Sequence, residues 1–500
     1  MINNKMTRGV SAGALAAVLS ACGHLPIAEP AFEAMADKRA GLPSDWTIGQ
    51  MTGDTTAIVA DYSVFQDAQL IAYVQEALEN NRTLRAAIES VRQSEAALQS
   101  TRSGLWPSLG ASLGVNATQV DGVTGDLAAS PPIFPRAASS FSDERYSFRL
   151  TGAYNLDIMG SLSASIQASA AGLRSSEAVY EQARRQIAAQ VARSYFAVIE
   201  QRLQLDLDRQ SLDRQRQTFR ITQTRFDAGS IARDELVLGE SRLAIAEDSI
   251  LATEASLRAA VRALETSLGR FPQNKLSIQG ALPEPPATPP LGLPELTVRS
   301  RPDVVAAELN MIQTFANTRI QELAPWPQLT ANVGVSLQNS GLSTDNLFSL
   351  DGLAYTIGAS LAQTIFDGGA IDARIKIANS QERAALERYG QTVINAYSEI
   401  VGAIDQFETL GSRNVALQKA SDAAQEVLRL GELKYQEGSE SLLNLFTVRD
   451  SAEAAQANLI ANRRARLDQW IVLHTALGGD PTRATSLATA ANTADGAKTQ

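Results

Sequence analysis

Four short stretches of the chain alternate strictly between apolar and polar residues. The first pair covers about residues 109–118 and 145–157, and the second pair about 329–338 and 353–364. Period-two alternation indicates a strand with one apolar and one polar face. Each stretch is about ten residues long, which is the length that a tilted strand needs to cross a bilayer. The pattern therefore predicts four strands, each able to face lipid on one side.

A soluble β-sandwich would show the same alternation, so the strands alone leave both classes open. Arg149 and Asp157 fall on the polar side of the second stretch, as expected for a water-filled lumen. Tyr146, Tyr154 and Tyr355 fall on the apolar side near strand ends, where an aromatic belt at a membrane surface belongs. Four strands cannot close a barrel, and lipid does not tolerate an open sheet edge. We therefore expect several chains to share one barrel, with three chains supplying twelve strands.

Helical spacing replaces the alternation after each pair of strands. We predict long helices over about residues 162–228 and 371–437, followed by shorter ones at about 231–268 and 440–477. Helices of this length extend roughly 100 Å, too far for a compact domain. Apolar residues recur every seven positions in the first half, which predicts supercoiling against a neighbouring helix. They are Leu205, Leu212, Phe219 and Phe226, and then Leu236, Leu243, Ile250, Leu257 and Leu264.

Two glycines interrupt the helical pattern. A glycine at Gly229 or Gly438 permits the chain to reverse at the end of a helix. Each half of the chain is therefore predicted to end in a hairpin of two helices. Ser230 or Ser439 can then help to cap the helix that follows.

The two hairpins belong to an internal duplication. The run Arg225-Phe226-Asp227-Ala228-Gly229-Ser230 returns as Lys434-Tyr435-Gln436-Glu437-Gly438-Ser439, a shift of 209 residues. Upstream the shift is 220 residues and carries Trp106-Pro107 onto Trp326-Pro327. The first copy thus holds about eleven extra residues, which we place in an exposed loop at residues 121–142.

The duplication sets the domain organisation. The two copies cover residues 63–280 and 295–480, and a linker at 281–294 with six prolines joins them. The tail at 481–500 is rich in alanine and threonine and is predicted to be disordered.

The N-terminus is typical of an exported lipoprotein. Lys5 and Arg8 precede a short apolar segment, and Leu19-Ser20-Ala21 then precedes Cys22. We predict a signal peptide at residues 1–21, removed to leave Cys22 as a lipid-modified first residue, and a lipidated N-terminal segment at 22–62. The alternative is a stray cysteine in an ordinary signal peptide. Cys22 is the only cysteine, which excludes a disulfide framework.

Composition and motifs narrow the function classes. The net charge of −10 disfavours nucleic acid, because phosphate contacts require basic patches. His24 and His474 are the only histidines, and the sequence has no nucleophile, metal-ligand or phosphate-binding motif. We expect a chain that is not an enzyme and carries no cofactor other than the covalent lipid.

The order of these features resembles the TolC-type outer-membrane efflux proteins, and most closely their lipoprotein branch, the OprM- and NodT-like factors. The motifs that carry the resemblance include Arg301-Pro302-Asp303-Val304 and Ile365-Phe366-Asp367-Gly368-Gly369. The resemblance covers about residues 63–480.

The resemblance implies an α+β membrane protein. A homotrimer would form a twelve-stranded β-barrel in the outer membrane, with four strands per chain, continued through the periplasm by a long α-helical coiled-coil barrel. A periplasmic adaptor (membrane fusion) protein would dock on the hairpin tips and link the barrel to an inner-membrane pump of the resistance-nodulation-division (RND) type. The implied function is a passive exit duct for drugs, toxic compounds or metals. A type I protein secretion duct and a structural envelope lipoprotein are the alternatives.

The resemblance also assigns roles at the hairpin tips. The residues implied to dock the adaptor are Arg225, Gly229, Ser230, Lys434, Gly438 and Ser439. The residues implied to form the periplasmic aperture are Glu235, Tyr435, Glu440, Asn444 and Thr447. A hydrogen bond between Glu235 and Tyr435 is expected to help close the aperture. The family often has arginine where Glu440 stands and aspartates where Asn444 and Thr447 stand, so this aperture is expected to be less cation-selective. The alternative is that these residues only pack the hairpins.

Overall fold

The structure is a computed structural model that describes residues 62–120, 141–286, 294–340 and 353–477. The predicted signal peptide, Cys22, most of the inserted loop and the tail lie outside the described residues. The chain divides into two compact units. One, here called the sheet unit, contains residues 94–173 and 311–385, and the other, the helical unit, contains 62–93, 174–310 and 386–477.

The secondary structure repeats with the duplication. A short 3₁₀ helix at Tyr62–Phe65 comes first. The helices of the described residues are α1 (Ala68–Asn80), α2 (Arg82–Ser103), α3 (Ser161–Asp227), α4 (Arg233–Ser267), α5 (Pro294–Arg299), α6 (Pro302–Leu323), α7 (Ala370–Gln436) and α8 (Leu442–Ala476). The helices α3 and α7 have 67 residues each, and α4 and α8 have 35 each. Equal lengths in the two copies indicate that duplication preserved the helical plan.

The four strands form one antiparallel sheet in chain order. They are β1 (Ser108–Val120), β2 (Phe141–Leu156), β3 (Gln328–Ser340) and β4 (Leu353–Ala362). β1 pairs with β2, β2 with β3, and β3 with β4. Among the described strands, β1 and β4 therefore lie at the edges of the sheet.

The register brings the apolar positions of all four strands to the same face. Leu109 lies opposite Gly152, which lies opposite Val333, which lies opposite Ile357. Residues directly opposite each other share a face, and alternate residues keep to it. On this face the exposed fraction is 74 % for Leu113 and 80 % for Ile357. Large apolar side chains on this face of the sheet are therefore exposed in the part of the chain that the structure describes.

The helical unit has a conventional buried core. Phe196 is fully buried, and its ring centre lies 5.2 Å from that of Phe65 in an edge-to-face contact. Phe65 makes a similar contact with Trp470 at 5.0 Å. The hydroxyl of buried Tyr195 donates to Asp67 Oδ2 at 2.6 Å, and burial and this carboxylate raise the pKa of Tyr195. The aromatic rings thus join the start of the first copy to α3 and α8.

The two copies make equivalent hydrogen bonds in the helical unit, each from a side chain to a backbone carbonyl near the end of a helix. Asn81 Nδ2 donates to the carbonyl of Ser267 at 3.0 Å, near the end of α4. In the second copy Arg301 Nη1 donates to the carbonyl of Ala476 at 2.8 Å, at the end of α8. The acceptor is the same backbone group in both copies, while the donor changes from an amide to a guanidinium. Arg301 also binds Asp303 and Glu399, which hold its pKa above the ordinary value despite burial.

Several element ends differ from the sequence predictions. β2 begins at Phe141, four residues before the predicted start, and α5 begins at Pro294, inside the predicted linker. Asp157 is not a strand residue facing a lumen. Its carboxylate accepts from the backbone N–H groups of Leu162 and Ser163 at 2.9 and 2.8 Å and caps α3.

The structure describes the side chains of two of the three tyrosines predicted to form an aromatic belt. Tyr355 is 81 % exposed on the apolar face, and Tyr154 is half-buried. The side chain of Tyr146 lies outside the described residues.

Candidate functional site at the hairpin turns

Both hairpin turns have the same backbone structure. Gly229 and Gly438 have φ angles of 71° and 77°, the left-handed region that glycine adopts without a steric penalty. Ser230 N–H donates to the carbonyl of Arg225 at 2.8 Å, and Ser439 N–H donates to that of Lys434 at 2.9 Å. These bonds and the glycine N–H bonds to the third residue before them form a Schellman motif, which satisfies carbonyls at the helix end. The glycines therefore end α3 and α7 as predicted.

The predicted serine caps are wrong. α4 is capped at Ala232, which has no side-chain hydrogen bond, and α8 is capped at Ser441, whose Oγ accepts from Asn444 N. Ser439 Oγ instead donates to the carbonyl of Lys434 at 3.1 Å. The second helices start at Arg233 and Leu442, two residues later than the sequence predicts.

Tyr435 lies inside the contact between the two hairpins. It is 3 % exposed, and its hydroxyl lies 3.0 Å from Thr222 Oγ1 of α3, which is fully buried. The structure therefore gives Tyr435 a different partner from the predicted Glu235. Leu442, Leu445 and Phe446 belong to the same cluster of buried apolar side chains as Tyr435.

Arg225 covers the other side of Tyr435. Its guanidinium carbon lies 4.7 Å from the centre of the Tyr435 ring, within the range of a cation–π contact. Its Nη2 donates to the carbonyls of Tyr435 at 2.8 Å and Gln436 at 3.2 Å. These carbonyls lie in the last turn of α7, where helical partners run out. Arg225 thus ties the end of the first long helix to the end of the second.

A buried arginine links the hairpins further from the turns. Arg449 of α8 is 3 % exposed and donates to Gln215 Oε1 and, at 3.2 Å, to Thr218 Oγ1, both on α3. Its Nη2 also lies 3.1 Å from Glu432 Oε1 on α7. Burial lowers the pKa of Arg449, and Glu432 opposes the change. The charge is paired, as a buried cation must be.

The remaining predicted aperture residues lie on the outside of the hairpins. Asn444 and Thr447 are exposed, and Glu235 and Glu440 are half-buried. Glu440 Oε1 accepts from Ser441 N at 3.1 Å, and Thr447 Oγ1 donates to the carbonyl of Leu443 at 3.0 Å. Within one chain these residues do not converge on a common contact in the described part of the structure.

Among the described residues, no group of histidine, cysteine, aspartate and glutamate side chains could hold a metal ion. No helix in the described ranges combines the length and the apolar character needed to cross a membrane.

The sequence matches a profile of a known family over most of its length. Residues 73–270 and 293–479 match the outer membrane efflux protein family. This chain belongs to that family. The two matched segments coincide with the two copies of the duplication, so each copy carries the family pattern.

Relatives and solved structures agree with this outer membrane efflux protein assignment. The chain is 26% identical over 474 residues to the pyoverdine export outer membrane protein OpmQ of Pseudomonas aeruginosa, covering 92% of this chain and 94% of that one. It is 25% identical to nodulation protein T of Rhizobium leguminosarum bv. trifolii, covering 87% and 91% of the two chains. The CmeC outer membrane channel of Campylobacter jejuni has the same fold, with a TM-score of 0.77 at 18% identity over 89% of this chain and 93% of that one.

The predicted family, fold, efflux function and outer-membrane location are thus confirmed. Sequence reasoning missed four residues that connect the hairpins of this efflux protein: Thr222, Gln215, Thr218 and Arg449. A signal for them exists in the duplication. At the shift of 209 residues Arg449 aligns with Glu240, and Thr222 aligns with Gly431, so these positions differ in chemistry between copies whose turns are alike.

Proposed function

We propose that this chain forms the exit duct of a three-part efflux system as a passive homotrimer in the outer membrane. The sheet supports this proposal most directly. Its apolar positions share one face, side chains on that face are exposed, and among the described strands β1 and β4 each have a single neighbour. Pairing β4 of one chain with β1 of the next would remove the edges, as a sheet in lipid requires.

The helices would continue the duct into the periplasm. No residue of the seven-residue repeat in α3 and α4 is exposed, and Leu205, Leu212 and Leu264 are buried. Helices packed in this way suit a bundle of hairpins around a common axis. The hairpin turns around Gly229 and Gly438 would then present Ser230, Lys434 and Ser439 to a periplasmic adaptor, which would link the duct to an inner-membrane pump of the RND type.

Cys22 would anchor the mature chain by a covalent lipid. The small residues before it and the apolar segment upstream support this proposal. A lipoprotein leader also favours small-molecule efflux over type I protein secretion. The exported pyoverdine in the name of the relative OpmQ supports export as the shared role.

The aperture would be formed by exposed groups near the turns. Asn444 and Thr447 are exposed on α8, and Glu235 is half-buried at the start of α4, so their side chains can face a neighbouring chain. Tyr435 would contribute by holding the hairpins together rather than by lining the opening. With neutral Asn444 and Thr447 we expect weak cation selectivity.

Reconstitution tests the duct directly. Purified full-length protein should migrate as a trimer in detergent and conduct ions in planar bilayers. Expression in a strain lacking its own efflux duct should restore drug tolerance. A monomer without conductance would favour the structural lipoprotein, and export of a type I protein substrate without drug tolerance would favour the secretion duct.

A further inference from the structure

A duplicated chain must specify which hairpins pair. The hairpin α3–α4 and the hairpin α7–α8 have helices of equal length and turns of the same backbone structure. Shape alone would allow either hairpin to pack against a second copy of itself. Within the chain they pack against each other, so something must favour the mixed pair.

The two hairpins differ at the buried polar positions between them. At the shift of 209 residues Tyr435 aligns with Phe226, Arg449 with Glu240, and Glu432 with Gln223. In the other direction Thr222 aligns with Gly431, Gln215 with Ala424, and Thr218 with Val427. The second hairpin therefore carries the guanidinium and the phenol, and the first carries the groups that meet them.

These differences are complementary in the mixed pair. The Tyr435 hydroxyl meets Thr222 Oγ1 at 3.0 Å, and Arg449 reaches Gln215 and Thr218. All five side chains are at least nine-tenths buried. The hydroxyls of Thr218 and Thr222 also donate within α3, to the carbonyls of Arg214 and Thr218 at 3.0 Å each. A buried donor or acceptor without a partner is costly, so the opposite hairpin matters most to the Tyr435 hydroxyl, the Gln215 amide and Nη1 of Arg449.

Like pairs would leave the same groups unsatisfied. A second hairpin packed on its own copy would present Ala424 and Val427 to Arg449, and neither can accept a hydrogen bond. A first hairpin packed on its own copy would present Phe226 where Thr222 has its phenol partner. Groups that favour one pairing and penalise the others produce specificity.

We propose that Thr222, Gln215 and Thr218 on the first hairpin and Tyr435 and Arg449 on the second form a recognition set that makes unlike hairpins pair. Glu432 positions Arg449 from within the second hairpin. This role concerns assembly and goes beyond efflux, since it does not depend on the cargo or on the pump.

Single-cysteine reporters can test the pairing in full-length protein. Arg242 Nη1 of α4 lies 3.1 Å from Asp450 Oδ2 of α8, so these positions face each other across unlike hairpins. A chain carrying Arg242→Cys or Asp450→Cys alone can form a dimer through that thiol only where like hairpins meet. The protein is treated in outer-membrane preparations with a short thiol cross-linker, and the parent chain with Cys22 gives the background.

The test variant gives the second hairpin the residues of the first: Glu432→Gln, Tyr435→Phe and Arg449→Glu. We expect the cross-linked dimer of both reporters to rise on the order of tenfold, the ratio produced by a difference of about 1.4 kcal/mol. The Arg449→Met variant removes the guanidinium, keeps a side chain of similar length and should also raise the dimer.

The matched control is Glu240→Arg, the opposite change at the exposed equivalent position of the first hairpin. It should leave cross-linking at background. Background dimer levels in a folded triple variant, or equal dimer levels in the control, would overturn the proposal. If the triple variant does not fold, background levels in Arg449→Met would overturn it.

Discussion

The sheet unit and the helical unit place their apolar side chains in opposite ways. Ile357 and Leu113 of the sheet unit are 80 % and 74 % exposed, whereas Phe196 and Leu264 of the helical unit are fully buried. Both units come from the same duplicated sequence. In the described part of the sheet unit the apolar side chains of the sheet are exposed, whereas the helices of the helical unit pack on one another.

The difference shows that apolar side chains are buried within the chain in the helical unit but remain exposed in the sheet unit. In the helical unit, apolar contact within the chain stabilises the fold. In the sheet unit, Leu109, Val333 and Ile357 are exposed, and they gain the full stabilisation of burial only when a non-aqueous environment covers them. Substitutions in the two units should therefore fail in different assays.

The largest effect is expected in the helical core. Phe196→Ala would leave a cavity beside Phe65 and should lower the free energy of unfolding by about 3–5 kcal/mol. Thermal unfolding of the purified protein in detergent, followed by circular dichroism, measures the change. Val179→Ala on the same helix is the control, because Val179 is 53 % exposed. Equal losses for the two variants would contradict the distinction between core and surface.

The next effect should separate the two faces of the sheet. Ile357→Arg places a charge on the apolar face and should cost about 2–4 kcal/mol if that face meets lipid. Thr356→Arg, one residue earlier on β4, places the same charge on the other face and should be tolerated. The amount of folded protein in outer-membrane fractions reports the difference. Similar amounts of the two variants would show that neither face lies in lipid.

A buried carboxylate gives the helical unit a dependence on pH. Glu265 is 3 % exposed and accepts from the backbone N–H groups of Gln273, Asn274 and Lys275 at 2.6, 2.9 and 2.9 Å. Burial opposes its charge, but these bonds outweigh burial and hold the pKa of Glu265 below its ordinary value of 4.5. Glu265→Gln should cost about 2 kcal/mol at neutral pH.

The sign of the pH effect follows from the lowered pKa. The stabilisation by Glu265 is fully present above pH 4.5, the ordinary value, and is lost as the pH falls through the folded pKa. Melting temperatures of the parent and the Gln variant should therefore converge in acid. A gap that stays constant from neutral pH to below the folded pKa would rule out this account.

The smallest effect concerns close packing on the apolar face. Gly152 interrupts the apolar positions of β2, and a Cβ at this position would lie 2.7 Å from Val333 Cγ1. Gly152→Ala should therefore cost about 1 kcal/mol through overpacking. Adding Val333→Ala should recover most of the loss in the same unfolding assay. If the double variant does not recover the lost stability, the cost of Gly152→Ala would come from the backbone of β2 and not from the contact with Val333.

Periodicity predicted much of the fold. Alternation located the four strands, and the glycines located both hairpin turns, because each signal depends on residues adjacent in sequence. Asp157 was misplaced because a polar residue at a strand end and a helix cap look alike in sequence. Ser230 and Ser439 were misassigned because capping depends on backbone angles that the turn decides.

The hairpin site was harder to predict. The partners of Tyr435 and Arg449 lie more than two hundred residues away, at Thr222 and Gln215. No periodic signal links residues at that separation. Aligning the two copies exposes the positions where buried polarity differs, but it does not reveal which groups meet, since that requires the packing of α3 against α7 and α8.

The pairing of β2 with β3 bears on how the duplicated chain could have arisen. It is the one place in the described sheet where the two copies pair, and its antiparallel ladder runs from Arg145 to Leu156. A half-length ancestral gene would have supplied one hairpin with two open edges, so six separate products would have been needed for a closed ring of twelve strands. Fusion of two such genes would have turned three of those six junctions into junctions within one chain, and the β2–β3 pairing is a junction of that type.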